Sequence, residues 1–146
     1  MSAHVRQTGL FRWEGIKISP YKAQGTHFSG ITRQLLFDAG DGLGCQVRYF
    51  EIEPGGYSSL ERHHHAHAII VVRGPGRALV GKNILLMATN DLVRVAPLTW
   101  HQFRAGDEPF GFLCMVDCAR DLPERPDAAA LAALRSSAEV AEFIRT

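Results

Sequence analysis

The chain has 146 residues, 46% of them apolar and 21% charged, and sixteen Lys and Arg against fifteen Asp and Glu leave a formal charge of +1. This is the composition of an ordinary globular protein, long enough to bury roughly two-thirds of the surface its unfolded chain exposes, so folding alone requires no metal or disulfide. The charge balance argues against broad attraction to nucleic acid or anionic membrane, and no apolar run approaches the roughly twenty residues that span a bilayer.

In chain order, residues 13–18 (WEGIKI) are expected as an edge strand ended by Ser19-Pro20. Residues 31–38 (ITRQLLFD) form the next, closed by Ala39-Gly40-Asp41-Gly42, and 45–52 (CQVRYFEI) end at Pro54-Gly55-Gly56. Residues 66–72 follow, with Gly74-Pro75-Gly76 as their turn. Residues 77–80 and 84–88 flank Gly81-Lys82-Asn83, a hairpin-like spacing. Residues 91–96 (DLVRVA) alternate and stop at Pro97, and 110–117 (FGFLCMVD) are the last strand. Short strands with turn signals at roughly eight- to twelve-residue intervals define an all-β barrel or sandwich rather than a parallel α/β sheet.

The end of the chain differs. Residues 121–126 carry two prolines and read as a connector. Asp127 is placed as the N-cap of an alanine-rich helix over 127–135. Ser136-Ser137-Ala138-Glu139 matches a capping box before a second helix over 140–144. Both are expected to pack on the outside of the barrel without chemical role. Cys45, Cys114 and Cys118 are odd in number and lack framework spacing, which implies free buried thiols in a reducing compartment. Met1 to Leu10 has no apolar core like that of a secretion signal, so a cytoplasmic protein is expected.

Four of the seven histidines, His63, His64, His65 and His67, fall within five positions. On a regular strand His63, His65 and His67 share one face and His64 points away. Imidazole is the commonest protein ligand for first-row divalent ions. Rings at i and i+2, about 7 Å apart along a strand, can converge on one ion. A third at i+4 joins them only if the chain bends near His65–Ala66; the other reading is a solvated polar tip. His101 follows Pro97-Leu98-Thr99-Trp100, whereas His4 and His27 sit in segments that give them no role.

These residues resemble the two motifs of the cupins. The first is Pro54-Gly55-Gly56, the histidines at 63–67, and the apolar run to Gly74-Pro75-Gly76; the second runs from Asp91 through Pro97 to His101 and Phe103. The resemblance covers roughly residues 47–117, within one domain spanning 1–146, with a barrel over about 31–118 and a helical extension over about 122–146. It implies a double-stranded β-helix (jelly-roll) barrel with a central metal site, and a homodimer paired through N-terminal strands. Two alignments of the motif are open. One gives His63, His65, His67 and His101 as ligands; the other gives Glu61, His63, His67 and His101. The four-histidine set uses the whole HxHxH pattern and is preferred. Leu98 stands where the second motif usually has glycine.

Four neutral imidazoles would leave the full charge of one divalent ion per chain available for Lewis-acid work. Zinc is the expected ion, with iron(II), manganese(II) or nickel(II) as alternatives. Glu61 is a candidate general base or ligand partner, against the alternative of a solvated rim charge. Tyr49 and Trp100 complete the candidate catalytic set as pocket-lining residues, with Arg48 and Glu51 beside them and the inward face of their strand left open. In length, histidine-only motif and helical tail the chain is similar to the small cupin polyketide cyclases of resistomycin-type biosynthesis. That likeness implies aldol closure of a poly-β-ketone, a small-molecule substrate. The alternatives are a metal-dependent cupin dioxygenase and a binding cupin without turnover.

Overall fold

The computed structural model describes residues 3–146. Its strands are β1 (Gln7–Gly9), β2 (Arg12–Trp13), β3 (Ser19–Pro20), β4 (Ser29–Phe37), β5 (Cys45–Tyr57), β6 (His67–Arg73), β7 (Gly76–Val80), β8 (Asn83–Met87), β9 (Leu92–Val95), β10 (His101–Arg104) and β11 (Phe110–Asp117). The helices α1 (Ala128–Arg135) and α2 (Ala138–Phe143) follow. One antiparallel sheet runs β8-β7-β10-β5-β11-β6-β9, with β4 added beside β5 and β3 beside β4; β1 and β2 pair separately. The sheet curls into the expected all-β jelly-roll. No helix among the described residues is long and apolar enough to cross a membrane.

β5 makes the curl. The sequence suggested a stop at Pro54-Gly55-Gly56, but the strand runs through it to Tyr57, 13 residues in all. Those residues form an irregularity instead of an end. Gly55 has φ 75°, and the register with β4 shifts between Ser29 and Ile31. A Cβ at Gly56 would lie 2.7 Å from the Ser29 carbonyl oxygen, so only glycine fits that approach. Before the irregularity β5 pairs with β4 and β11; beyond it, Tyr57 pairs with Arg104 of β10. One strand therefore serves both halves of the barrel.

The β7–β8 hairpin forms as expected, Val80 opposite Asn83, with Gly81 at φ 67° in the first turn position. Two expectations fail. Residues 13–18 are not a strand: pairing stops at Trp13, and Gly15 at φ 73° turns the chain away. β10 was not anticipated. Its four residues are too few for a periodic signal, and it exists because β7 pairs with it from His101↔Val80 to Arg104↔Arg77.

Even-numbered residues of β5 and β11 face the barrel core, where Phe50, Ile52, Phe110, Phe112, Cys114 and Val116 meet Ile69 and Val71 of β6. A second cluster joins Leu60 and Leu79 to Leu134, Val140, Phe143 and Ile144, so the helices seal the outer side of the β7–β10 region. Asp127 caps α1 as expected, accepting from the Ala130 amide at 2.8 Å. The capping box is corrected: Ser136 is the C-cap of α1, and Ser137 caps α2 by accepting from Val140. Glu139 then falls one position short of the reciprocal bond. Buried Gln102 ties the tail down, donating to the carbonyls of Ser58 and Arg145 and accepting from the Arg145 amide.

Candidate metal centre

His67 opens β6 and His101 opens β10, so two rings are fixed by strand starts. His63 lies in a bent stretch before β6, where residues 63–66 are not strand and the bend falls at His64–His65, one residue earlier than the His65–Ala66 bend that convergence of the three rings called for. The bend at His64–His65 brings His63 back toward His67. Its position is tied from both sides: the Leu98 amide donates to the His63 carbonyl at 2.7 Å, and Glu61 exchanges backbone bonds with His101 at 3.0 and 3.1 Å. Ring centroids are 4.5 Å apart for His63–His67, 4.9 Å for His63–His101 and 5.2 Å for His67–His101. One nitrogen of each ring lies within 4.8 Å of the other two.

His65 stands beside this trio. Its ring lies parallel to that of His63 at 3.6 Å, and its Nδ1 is 2.8 Å from Asp121 Oδ1. The same carboxylate accepts from the amides of His64 and His65, so the connector after β11 holds the histidine bend. These bonds hold the Asp121 carboxyl well below its ordinary range. The His64 side chain is exposed.

Burial, then the charge of His101, lowers His63 from 6.5 to about 4. Burial is also the first cause of lowered values at His67 and His101. All three rings are thus neutral near pH 7. His63 Nδ1 is 2.7 Å from the His65 carbonyl, and His101 Nδ1 is 2.9 Å from the Thr99 carbonyl. A carbonyl only accepts, so each ring carries its proton on Nδ1 and presents a lone pair on Nε2. His67 Nδ1 meets Cys114 Sγ at 3.3 Å. Nε2 of His63 and of His67 is buried without a hydrogen-bond partner among the described residues. Orphaned, neutral, convergent nitrogens fit a divalent ion, and these three histidines could hold one.

His63, His65 and His67 line a cavity of about 410 Å³, within the range of roughly 300–1,000 Å³ usual for small-molecule sites; His101 lies behind them, outside its lining. Glu61, buried and ion-paired with Lys22, lines it. Tyr49 and Trp100 do not. Tyr49 is on the odd face of β5, where its ring stacks on Phe11 at 5.1 Å and its hydroxyl donates to Glu51 at 2.9 Å. Trp100 packs under the helices, with the Arg62 guanidinium over its ring at 4.5 Å. Arg48, on the even face, does line the cavity. Cys118, Arg33, Arg120 and Asp121 line it too and were missed as site residues. All three cysteines are free, but only Cys114 is buried, which corrects the expectation for Cys45 and Cys118.

Residues 48–116 match the family described as Cupin domain. 1-Methylthio-D-xylulose 5-phosphate methylsulfurylase from Rhodospirillum rubrum is 48% identical over 136 residues, 92% of this chain and 86% of that protein. A cupin 2 conserved barrel domain protein from Rhodopseudomonas palustris has a TM-score of 0.93 at 48% identity, covering 99% of this chain and all of that one. The polyketide cyclase RemF from Streptomyces resistomycificus has a TM-score of 0.76 at 17% identity over 99% of each chain, a likeness of fold alone. The chain belongs to the cupin superfamily. It is a small jelly-roll cupin with a three-histidine cluster able to hold a metal, and it has a close relative that carries an enzyme's name.

Proposed function

We propose that this cupin is a metal-dependent enzyme that cleaves the carbon–sulfur bond of a methylthio ketose phosphate. The observation that carries the reading is one cavity lined by His63 and His67 of the histidine cluster and by Cys118. The methylsulfurylase at 48% identity supports the substrate class. The cyclase reading rests on the 17% likeness, and a cavity lined by several guanidinium groups suits an anion better than a neutral poly-β-ketone.

A divalent ion on His63, His67 and His101 would supply a Lewis acid for the ketone oxygen. The chain's own residues do the rest. The Cys118 thiolate attacks the methylthio sulfur, forming an S–S bond as the bond from sulfur to C1 breaks. The electron pair passes to C1, where the adjacent ketone delocalises it, and C1 takes up a proton. Glu61 is the acid–base group of this reading. The methyl disulfide left on Cys118 returns to the thiol by exchange with an external thiol, the required co-reactant. Imidazole sites accept several first-row ions, so zinc, iron(II), manganese(II) and nickel(II) all remain compatible.

The test is incubation of the full chain, loaded in turn with each ion, with 1-methylthio-D-xylulose 5-phosphate and dithiothreitol, followed by NMR. A new C-methyl signal from the 1-deoxyketose phosphate is expected, lost in Cys118→Ser. No turnover with any ion would remove the reading; full turnover in Cys118→Ser would remove the thiol's role.

A further inference from the structure

Three arginines line the cavity, and no carboxylate pairs with any of them among the described residues. Arg33, Arg48 and Arg120 line it with the histidines. Its two carboxylates are already engaged, Glu61 by Lys22 and Asp121 by the His64 and His65 amides and the His65 ring. None of the three arginines forms an ion pair among the described residues.

Arg48 is the most telling. It is only 8% exposed, on the inward face of β5. Its guanidinium lies 5.0 Å from the Phe50 ring centroid, and its Nη2 donates to Cys114 Sγ at 3.3 Å. Its Nε is buried with no partner among the described residues. Arg120 is held in place by Gln46 Oε1 at 2.8 Å and the Asp117 carbonyl at 2.9 Å. Burial, then the neighbouring charge of Arg48, with a further contribution from Arg33, lowers the pKa of Arg120, as like charges held close must do. A buried cation without a partner is costly, and three that repel one another are costlier; an arriving anion relieves both.

We propose that Arg33, Arg48 and Arg120 form a subsite for a phosphomonoester dianion, the phosphate end of a ketose phosphate. The planar guanidinium fork matches phosphate oxygens in pairs. Cys114 Sγ lies 3.3 Å from both Arg48 Nη2 and His67 Nδ1, so one side chain separates the guanidinium end of the cavity from the histidine end. A short sugar phosphate can then present its phosphate to the arginines and its carbonyl to the histidines. What the phosphate is attached to rests on the function proposed above; the anion site itself does not.

The experiment is calorimetric titration of the full-length, metal-free protein with D-xylulose 5-phosphate, inorganic phosphate and D-xylulose. Xylulose 5-phosphate should bind more tightly than inorganic phosphate, and xylulose only weakly. Arg33→Gln and Arg120→Gln should each weaken xylulose 5-phosphate binding by about tenfold or more, as expected for a lost charge-assisted bond. Arg48→Met should do the same, with circular dichroism checking its fold; the two partly exposed arginines keep the test open if it does not fold. Affinity unchanged in Arg33→Gln and Arg120→Gln, or xylulose binding as tightly as its phosphate, would overturn the subsite. Inorganic phosphate binding more tightly than the sugar phosphate would overturn the ketose assignment. Arginine-dependent phosphate binding without carbon–sulfur cleavage would uphold the subsite and remove the reaction. Cleavage with KM unchanged in the variants would uphold the reaction and overturn the subsite.

Discussion

His63, His65 and His67 look equivalent in sequence, yet their surroundings differ. His63 and His67 turn orphaned nitrogens toward His101, whereas His65 stacks on His63 and is held by Asp121. His65→Ala should therefore lower metal content less than His67→Ala does, and His64→Ala should leave it unchanged. Elemental analysis of the three variants checks the order, and a large loss in His64→Ala would contradict it. The histidines were legible because their clustering is local. The arginines were not: Arg48 sits between Val47 and Tyr49 with no sign of which faces inward, and Arg33 and Arg120 are far from it in sequence. Cys118 looks like a buried thiol in the sequence, because sequence alone does not reveal a strand end that opens onto a cavity.

At the scale of elements, the turn between β9 and β10 is the sharpest case. Leu98 takes φ 58°, the left-handed region that the glycine usual in the second cupin motif would occupy freely. A non-glycine residue there costs roughly 1–2 kcal/mol. Glycine loses about 0.5–1 kcal/mol more than other residues when the chain is ordered. Leu98→Gly should thus stabilise the protein by up to about 1.5 kcal/mol. A raised Tm is expected, and a lowered one would show that the half-exposed Leu98 side chain contributes more than the strain it imposes. Gly56→Ala should act in the opposite direction, by roughly 1–3 kcal/mol, because the new Cβ meets backbone that cannot move aside. Turn residues made most strands readable, but they misled where glycine marks an irregularity inside β5, and four-residue β10 is specified by its partner rather than by its own pattern.

For the whole molecule, the neutral buried histidines make acid lability a property of the fold. A histidine held below its ordinary value binds protons more readily unfolded than folded, so the metal-free protein should lose stability as pH falls. The contribution of His63 is full above its ordinary value of 6.5 and is lost progressively as pH falls through about 4. Urea midpoints at constant salt should drop across that window; a flat profile would contradict the burial of a neutral ring. Fold class was legible because strand length, turn residues and paired motifs agree. The substrate was not, because specificity lies in side chains that only the closed barrel brings together.

The reaction proposed above depends on a divalent ion held by His63, His67 and His101. Elemental analysis of the untagged protein, prepared without chelators or nickel resin, with His101→Ala beside the wild type, tests this directly. About one divalent ion per chain is expected in the wild type and clearly less in a folded His101→Ala variant. A metal-free wild type that takes up no added ion, or equal metal content in the two proteins, would contradict it.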